Sequence, residues 1–322
     1  MVIPSKPHII LLSSPGYGHL IPVLNLATRL VTRHNVSVTV FAFSTTSVPS
    51  HHPALFDLVL LPHPTITFPP NTHIVSRLVI IVRDSLPSLR DSITAMKTPP
   101  TALVVDLFST EAIKIGDELK ILKFVFFATN AWYLAATVLN SYIKGKISPV
   151  ETVEIPGCEP VRPGTLSDLM YDNDCPGNKE YKRIGREIST ADGVLVNTWD
   201  DLERRTLSSF RSKEHMGKFI NGPVWGVGPL VRGIDEAGSG SWAVEWLDRQ
   251  PIESVLYISF GSGGTLTTWQ TAEMAWAWRQ VSRGLCGCYG HQVITTRQRP
   301  FILITRAIKR GTGSRATCPQ GS

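Results

Sequence analysis

His19 is the residue of this sequence best suited to acid–base chemistry. It follows two glycines in the segment SSPGYGHL (13–20), directly after the apolar run His8–Leu12. An imidazole exchanges its proton near neutral pH and acts as a general base when a second group orients it. Residue type and position therefore predict either a catalytic base or an ordinary loop histidine.

Asp106 is the strongest candidate for the orienting group. It interrupts the apolar run LVVDLF (103–108) near its carboxyl end. A carboxylate on a buried strand needs a partner, because an unpaired buried charge is costly. We expect Asp106 either to orient His19 as the carboxylate of a base–carboxylate pair or to cap the helix that follows it.

Two glycine turns have the composition of phosphate-binding loops. They are PGYGHL (15–20) and SFGSGG (259–264), and each follows an apolar run. Glycine lets the backbone approach a ligand closely, and a helix N-terminus attracts anions. The first turn is not a dinucleotide fingerprint, because Ile21 stands where the third glycine would be. Each turn predicts either a phosphate contact or a plain tight connection between strand and helix.

These residues belong to an alternation of strands and helices. After the strand His8–Leu12, apolar residues recur at helical spacing from Leu20 to Leu30, and VSVTVFAF (36–43) is a second strand. The alternation continues with strands at 101–108, 123–129 and 193–199 and with helices at 76–96, 109–119 and 200–210. This order predicts an α/β fold with a doubly wound parallel sheet, in which ligands bind at the carboxyl ends of the strands.

A change of composition divides the chain into two domains. The 322 residues are too many for one compact core. The stretch 222–241 is rich in glycine, contains two prolines and is typical of a linker. Beyond it, WAVEWLDRQ (242–250) predicts a helix and SVLYISF (254–260) a strand. These elements predict the beginning of a second α/β domain.

The positive charge of the protein is concentrated in its last residues. From Arg279 to Ser322 there are eight lysines or arginines and no acidic residue, which leaves 24 basic and 26 acidic residues, or −2, before Arg279. The body of the chain therefore lacks the basic surface that nucleic-acid binding requires. No helical or alternating pattern extends over 283–322, where only FILIT (301–305) is a candidate strand.

Cysteines and apolar segments exclude several other classes of protein. The five cysteines are irregularly spaced, without a CxxC pair for zinc and too few for a disulfide scaffold, so we expect a cytoplasmic protein. The first apolar stretch is too short for a signal peptide. FVFFATNAWYLAATVL (124–139) is too short for a membrane span and predicts a strand end followed by a buried helix. We expect Asp57, Glu118 and Glu203 to be solvated charges.

Several stretches together resemble one protein family. In chain order they are SSPGYGHLIPVLNLATRL, SLPSLRDSI, LVVDLFSTEA, IPGCEPVRPGTL, DGVLVNTWDDLE, GPVWGVGPL and VEWLDRQPIESVLYISFGSGGTLT. With this set of motifs the chain resembles the plant family-1 UDP-glycosyltransferases, particularly the branch that glucosylates hydroquinone, monolignols and other small phenols.

The resemblance implies a GT-B fold, in which two Rossmann-like domains face each other. Residues 1–230 would form the N-terminal, acceptor-binding domain, and residues 231–241 the linker. Residues 242–278 would be the start of an incomplete C-terminal domain that binds the UDP-sugar. Residues 279–322 would be an aberrant basic tail without regular order.

The resemblance also assigns roles to single residues. His19 would be the catalytic base that takes the proton of an acceptor hydroxyl, which then displaces UDP from the sugar with inversion, and Asp106 would stabilise the imidazolium. Phe108 would line the acceptor pocket. The residues expected near the donor phosphates are Ser14, Gly18 and Ser262. The partners implied are UDP-glucose as sugar donor and a small phenolic acceptor, with no metal, no other cofactor and no nucleic acid.

The sequence departs from this family near Trp269–Arg279. The family's donor-binding box begins with W-A-P-Q, contains H-C-G-W-N-S and ends in a D/E-Q pair, and none of these occurs in the sequence. We interpret the chain as truncated or frameshifted there, and expect poor solubility and negligible turnover. The hypotheses are an inverting phenol glucosyltransferase, an inactive remnant that binds phenols or a partner, and an unrelated nucleotide-binding module.

Overall fold

The computed structural model describes most of the chain as two compact units, Met1–Arg232 and Gly233–Ser322. The residues described are 6–44, 55–62, 65–69, 72–166, 168–230, 242–252, 255–259, 268–280, 284–289 and 292–296. Each unit has its own sheet.

The first unit alternates strands and helices along the chain. Its described strands are β1 (His8–Leu12), β2 (Ser37–Phe43), β3 (Asp57–Leu61), β4 (Ala102–Asp106), β5 (Leu122–Phe127), β6 (Gly193–Val196) and β7 (Val224–Gly226). Its described α-helices are α1 (Tyr17–His34), α2 (Ile74–Thr94), α3 (Ile113–Leu119), α4 (Ala131–Tyr142), α5 (Asp168–Tyr171), α6 (Pro176–Thr190) and α7 (Asp200–Arg211). Two 3-10 helices, Leu107–Ala112 and Met216–Phe219, complete the set.

The seven strands form one parallel sheet in the order β3-β2-β1-β4-β5-β6-β7. In the register, Leu12 of β1 lies beside Phe41 on one side and Val105 on the other. The strand order runs outward from β1 in one direction and from β4 in the other. The boundary between β1 and β4 is thus the topological switch point of a doubly wound sheet, as the sequence predicts.

Both faces of this sheet are buried. Along β1, Ile10 and Leu12 face the larger apolar cluster, which includes side chains of α2, α4 and α6. Leu11 faces the second cluster, which includes side chains of α1. Continuous apolar runs such as those of β1 and β4 suit strands covered on both sides, because successive residues point to opposite faces.

Some elements differ in their bounds from the sequence prediction. Helix α1 begins at Tyr17, so the turn is shorter than expected and His19 lies in the first turn of the helix. The predicted helix 109–119 is divided into a 3-10 helix and α3. The sequence pattern assigns no element to β3 or α6, although Tyr181, Ile184 and Ile188 of α6 are buried at helical spacing. None of the helices described is both long and apolar enough to cross a membrane.

The second unit begins as the sequence predicts. Its described helices are α8 (Trp242–Asp248) and α9 (Thr268–Gln280), and its described strands are β8 (Val255–Ser259), β9 (Gly284–Tyr289) and β10 (Gln292–Thr296). β8 and β9 pair in parallel with α9 between them along the chain, which is a βαβ unit.

The strands β9 and β10 correct the expectation of a tail without regular elements. They pair antiparallel, with Tyr289 opposite Gln292, and extend the sheet to the order β10-β9-β8. Both strands are only five or six residues long, and β9 contains two glycines and two cysteines. Such a segment has too little apolar alternation to be recognised as a strand. The candidate strand FILIT lies outside the described residues.

Candidate active site

The candidate site lies where β1 and β4 end side by side. The sheet changes winding direction between these strands, so the segments that leave them depart in different directions and open a crevice. β1 is followed by the segment 13–16 and α1, whereas β4 is followed by the 3-10 helix Leu107–Ala112. Residues of both connections therefore meet at one edge of the sheet.

Gly16 allows the chain to turn from β1 into α1 within four residues. Its φ of 113° is a conformation that side chains other than glycine rarely adopt. The carbonyl of Gly16 accepts hydrogen bonds from the backbone N–H groups of His19 and Leu20, at 3.2 and 3.1 Å. Leu20 is fully buried beneath the helix. Together these contacts fix the first turn of α1, on which the side chain of His19 stands.

Asp106 is the last residue of β4, and its side chain reaches His19. Its carboxylate is completely buried, and Oδ2 lies 2.7 Å from Nδ1 of the His19 imidazole. The side chain makes no capping hydrogen bond to the 3-10 helix that begins at Leu107. The sequence leaves two roles open for Asp106, orienting His19 or capping the helix that follows. The geometry fits the first role and does not fit the second.

The contact between His19 and Asp106 is close but not well aligned. Nδ1 of His19 and both carboxylate oxygens of Asp106 are buried without a hydrogen bond of good angle to any described residue. The 2.7 Å separation is nevertheless that of a tight charge pair. Burial lowers the pKa of His19, but the charge and the polar contact of Asp106 raise it by more, so that the pKa lies above 6.5.

The ring of Phe108 lies beside the imidazole. The two ring centroids are 5.1 Å apart and the planes meet at 68°, an edge-to-face contact. Phe108 in turn contacts Tyr181 of α6, with 6.1 Å between centroids. The site thus combines an imidazole–carboxylate pair with aromatic rings packed beside it.

Two serines hold the connections after β1 and β4 together. Oγ of Ser14 accepts a hydrogen bond from the backbone N–H of Phe108 at 3.0 Å and lies 3.3 Å from Oγ of Ser109. The Ser109 hydroxyl lies 3.2 Å from the carbonyl oxygen of Ser13. These contacts fix the relative position of the segments that carry His19 and Asp106.

The residues predicted to contact phosphate differ in their surroundings. Ser14 is only 1% exposed and its hydroxyl already contacts Phe108 and Ser109, so its described role is to join the two connections. Gly18 is exposed in the first turn of α1. Ser262 lies outside the described residues. Within the described part of the chain, no group of three or more His, Cys, Asp or Glu side chains has the arrangement of a metal site.

Three residues of this region escaped the sequence analysis. Ser109 follows Asp106 by three positions, and the rule that ligands gather at strand ends would have indicated it. Tyr181 and its neighbour Tyr133 lie on α6 and α4, far from β4 in sequence. No local signal identifies them, because only the packing of the helices brings the ring of Tyr181 to Phe108 and the ring of Tyr133 to Tyr181.

Comparison with known proteins supports this view of the fold. No protein-family model matches the chain. The anthocyanidin 3-O-glucosyltransferase 5 of Manihot esculenta is 40% identical over 98% of this chain, which covers 65% of that protein. UDP-glycosyltransferase 72E3 of Arabidopsis thaliana is 41% identical over 84% of this chain, which covers 59% of that protein. Hydroquinone glucosyltransferase of Rauvolfia serpentina is 34% identical over 84% of this chain, which covers 60% of that protein.

Solved structures give the same result. The structure of TcCGT1 in complex with UDP has a TM-score of 0.77 and 35% identity, covering 87% of this chain and 63% of that one. A UDP-glucosyltransferase from Polygonum tinctorium capable of glucosylating indoxyl has a TM-score of 0.76 and 32% identity, covering 89% of this chain and 66% of that one.

The fold and the comparisons together define the class as the GT-B fold, with an incomplete second Rossmann-like unit. More narrowly, the chain is similar in sequence to plant UDP-glycosyltransferases, and it spans 59–65% of the length of the relatives named above. The match to the Manihot protein covers 98% of the chain and so extends past Arg279, where we expected the resemblance to end.

Proposed function

We propose that this chain binds a small phenolic acceptor and that His19 removes the proton of its hydroxyl for transfer of a sugar from a UDP-sugar. The observation that carries the proposal is the 2.7 Å contact between Nδ1 of His19 and Oδ2 of Asp106 at the switch point of the sheet. Relatives named as hydroquinone and anthocyanidin glucosyltransferases support the acceptor class.

The chemistry follows from which nitrogen Asp106 faces. Since the carboxylate lies against Nδ1, the opposite nitrogen, Nε2, is left to meet the acceptor hydroxyl. The phenolic O–H bond breaks and its proton passes to Nε2 while the oxygen attacks the anomeric carbon of the sugar. The bond from that carbon to UDP breaks, its electron pair leaves with the phosphate, and the configuration inverts. Asp106 stabilises the imidazolium that forms.

The donor side of the proposal concerns UDP-glucose. A neighbouring structure that holds UDP supports a nucleotide-sugar donor. Gly18 and Ser262 would lie near the donor phosphates, and Ser14 would reach them only if its hydroxyl left Phe108. In this proposal residues 1–230 bind the acceptor, 231–241 link the domains, 242–278 begin the donor domain, and no metal or further cofactor takes part. The free thiols of Cys158 and Cys175 support a cytoplasmic location.

A second candidate function is binding of the phenol without transfer. The observation that favours it is that the base, the carboxylate and Phe108 lie within the first unit, whereas the donor-box motifs do not occur in the sequence. Without them the uridine and the sugar would lose most of the contacts that hold them during transfer.

Incubation with UDP-glucose and hydroquinone separates these functions. Glucoside formed by the wild-type chain and abolished by His19→Ala supports the transferase. Hydroquinone binding by calorimetry without any glucoside supports the binding function instead. The exposed His34→Ala is the matched control and should leave both measurements unchanged. Absence of binding as well as of product would contradict both functions.

A further inference from the structure

A pair of tyrosine hydroxyls lies close to Phe108, the residue whose ring contacts the imidazole of His19. The hydroxyl oxygens of Tyr133 on α4 and Tyr181 on α6 are 3.0 Å apart. Their rings meet edge to face, with centroids 6.4 Å apart and an interplanar angle of 86°. The helices approach closely because Gly185 has no side chain, and a Cβ there would lie 2.6 Å from the Thr137 carbonyl oxygen. The pair is therefore a consequence of tight helix packing.

The pair holds one more hydrogen-bond donor than it uses. Each tyrosine contributes one O–H proton, and only the proton of Tyr133 is used, in the bond to Tyr181. Among the described residues, the hydroxyl of Tyr181 has no hydrogen bond other than the one that it accepts from Tyr133. Burial keeps both hydroxyls protonated, since it raises the pKa of Tyr133 and that of Tyr181. Tyr181 is almost fully buried, whereas Tyr133 is partly exposed.

The pair lies within reach of a molecule bound at His19. The centroid of Phe108 is 5.1 Å from that of His19 and 6.1 Å from that of Tyr181. The tyrosine ring therefore lies no farther from the imidazole than the sum of these separations, 11.2 Å. A two-ring aromatic compound is long enough to span this upper limit, and the ring of Phe108 contacts both the imidazole and Tyr181.

We propose that the Tyr133–Tyr181 hydroxyl pair binds a second oxygen at the far end of the acceptor. The inference rests on the proposed function, because it takes the reacting hydroxyl to lie at His19. It narrows the acceptor class to flat, two-ring phenols that carry a hydroxyl or carbonyl oxygen opposite the reacting group. Such an oxygen accepts the spare proton of the pair, whereas an acceptor without it leaves that buried donor unpaired, which costs binding free energy.

Two biphenyls of nearly equal size test the proposal. 4,4′-Dihydroxybiphenyl has the second oxygen and 4-hydroxybiphenyl lacks it. Calorimetric titration of the full chain with each compound gives two affinities, and their difference reports the effect of that one hydroxyl. We expect the wild-type chain to bind the dihydroxy compound about three to ten times more tightly, the effect of one hydrogen bond. The double variant Tyr133→Phe/Tyr181→Phe should lose this preference, apart from the statistical advantage of a ligand with two equivalent ends, and should bind 4-hydroxybiphenyl no more weakly than the wild-type chain does, because no buried donor is left unpaired.

The double variant avoids the usual ambiguity of a folding defect. Replacing both partners of a buried hydrogen bond by apolar groups of the same shape is nearly neutral for stability. Tyr142→Phe is the matched control, because this exposed tyrosine also lies on α4 but bonds to the carbonyl of Phe219. It should retain the wild-type preference.

The outcomes separate this inference from the function on which it rests. Equal binding of the two biphenyls by the wild-type chain, or a preference that survives in the double variant, overturns the role of the tyrosines and leaves acceptor binding intact. Failure of the wild-type chain to bind either compound overturns acceptor binding itself.

Discussion

At the scale of single residues, the central feature is the buried pair of His19 and Asp106. Their side chains lie close together but are not well aligned for a hydrogen bond. Asp106 is fully buried and its only close cationic neighbour among the described residues is His19. A buried carboxylate is stable only when a charge or hydrogen bonds compensate it. This dependence explains why a strand of otherwise apolar residues ends in aspartate, and it makes the protonation of His19 sensitive to Asp106.

The first prediction concerns the pKa of His19. In the wild-type chain it lies above 6.5, because Asp106 outweighs the effect of burial. Asp106→Asn removes the charge, so burial alone remains and the pKa should fall below 6.5. Titration of the imidazole signals by NMR, assigned with His19→Gln, measures it. The exposed Asp201→Asn is the control, and an unchanged pKa in Asp106→Asn would contradict the pair.

The same shift has a consequence for stability. A pKa raised in the folded state stabilises the protein at pH values below about 6.5, where histidine is protonated in both states. This contribution is lost as the pH rises through the raised pKa of His19. Over that window the wild-type chain should lose more stability than Asp106→Asn does, as followed by urea unfolding at a series of pH values.

The second prediction concerns Ser14. Ser14→Ala leaves the buried N–H of Phe108 without its acceptor, which should destabilise the fold by about 1–3 kcal/mol in urea unfolding. Ser208→Ala, an exposed substitution on α7, should change stability by less than about 0.5 kcal/mol. If the two variants were equally stable, the contacts between the connections after β1 and β4 would not hold them together.

At the scale of elements, the start of α4 shows how a distant residue completes a helix. Its first backbone N–H groups, those of Ala131 and Trp132, donate to the two carboxylate oxygens of Glu203 at 2.8 and 3.0 Å. The next N–H, that of Tyr133, donates to Oδ1 of Asn130 at 2.8 Å. Glu203 is thus not the solvated charge expected from the sequence. It comes from α7, about seventy residues away, where no local pattern reveals it.

The third prediction follows from this cap. Glu203→Ala removes both acceptors and a negative charge from the positive end of α4, and should cost about 1–2 kcal/mol of unfolding free energy. Because α4 carries Tyr133, the preference for 4,4′-dihydroxybiphenyl should weaken as well. Glu214→Ala, which changes an exposed glutamate, is the control. Equal stability of the two variants would show that solvent replaces the cap at no cost.

Strands with continuous apolar runs were the elements most accurately predicted from sequence. β1 has the predicted bounds. Because parallel strands end at the same edge of a sheet, Asp106 at the end of β4 lies beside His19, which follows β1. β3, on the edge of the sheet, and the polar helix α6 have weaker signals. The hydroxyl pair of Tyr133 and Tyr181 depends on the tertiary packing of α4 against α6. The periodicity of apolar residues in the sequence does not reveal that packing.

At the scale of the whole molecule, the site residues with described geometry all lie in the first unit. His19, Asp106, Phe108 and the tyrosine pair belong to Met1–Arg232, and its sheet is covered on both faces. This distribution explains why the predicted pairing of His19 with Asp106 could be compared with the structure in residue detail. The donor side could not, because Ser262 lies outside the described residues and the donor-box motifs do not occur in the sequence.

The fourth prediction is that acceptor binding is confined to the first unit. Hydrogen exchange followed by mass spectrometry should show slower exchange on addition of 4,4′-dihydroxybiphenyl in the connections after β1 and β4 and at the start of α4. Ligand that binds the folded state suppresses local opening. Peptides from α8 to β10 should be unchanged. Protection found only in those peptides would place the phenol in the second unit.

The most direct measurement of the central claim is the ionisation of a phenol bound at His19. 4-Nitrophenol absorbs visible light as the phenolate, so its absorbance reports transfer of its proton. At a pH just below the ordinary pKa of the free phenol, the wild-type chain should raise the phenolate fraction of the bound ligand, and His19→Ala should not. An equal phenolate fraction in both proteins, with 4-nitrophenol bound to each, would contradict the assignment of His19 as the base.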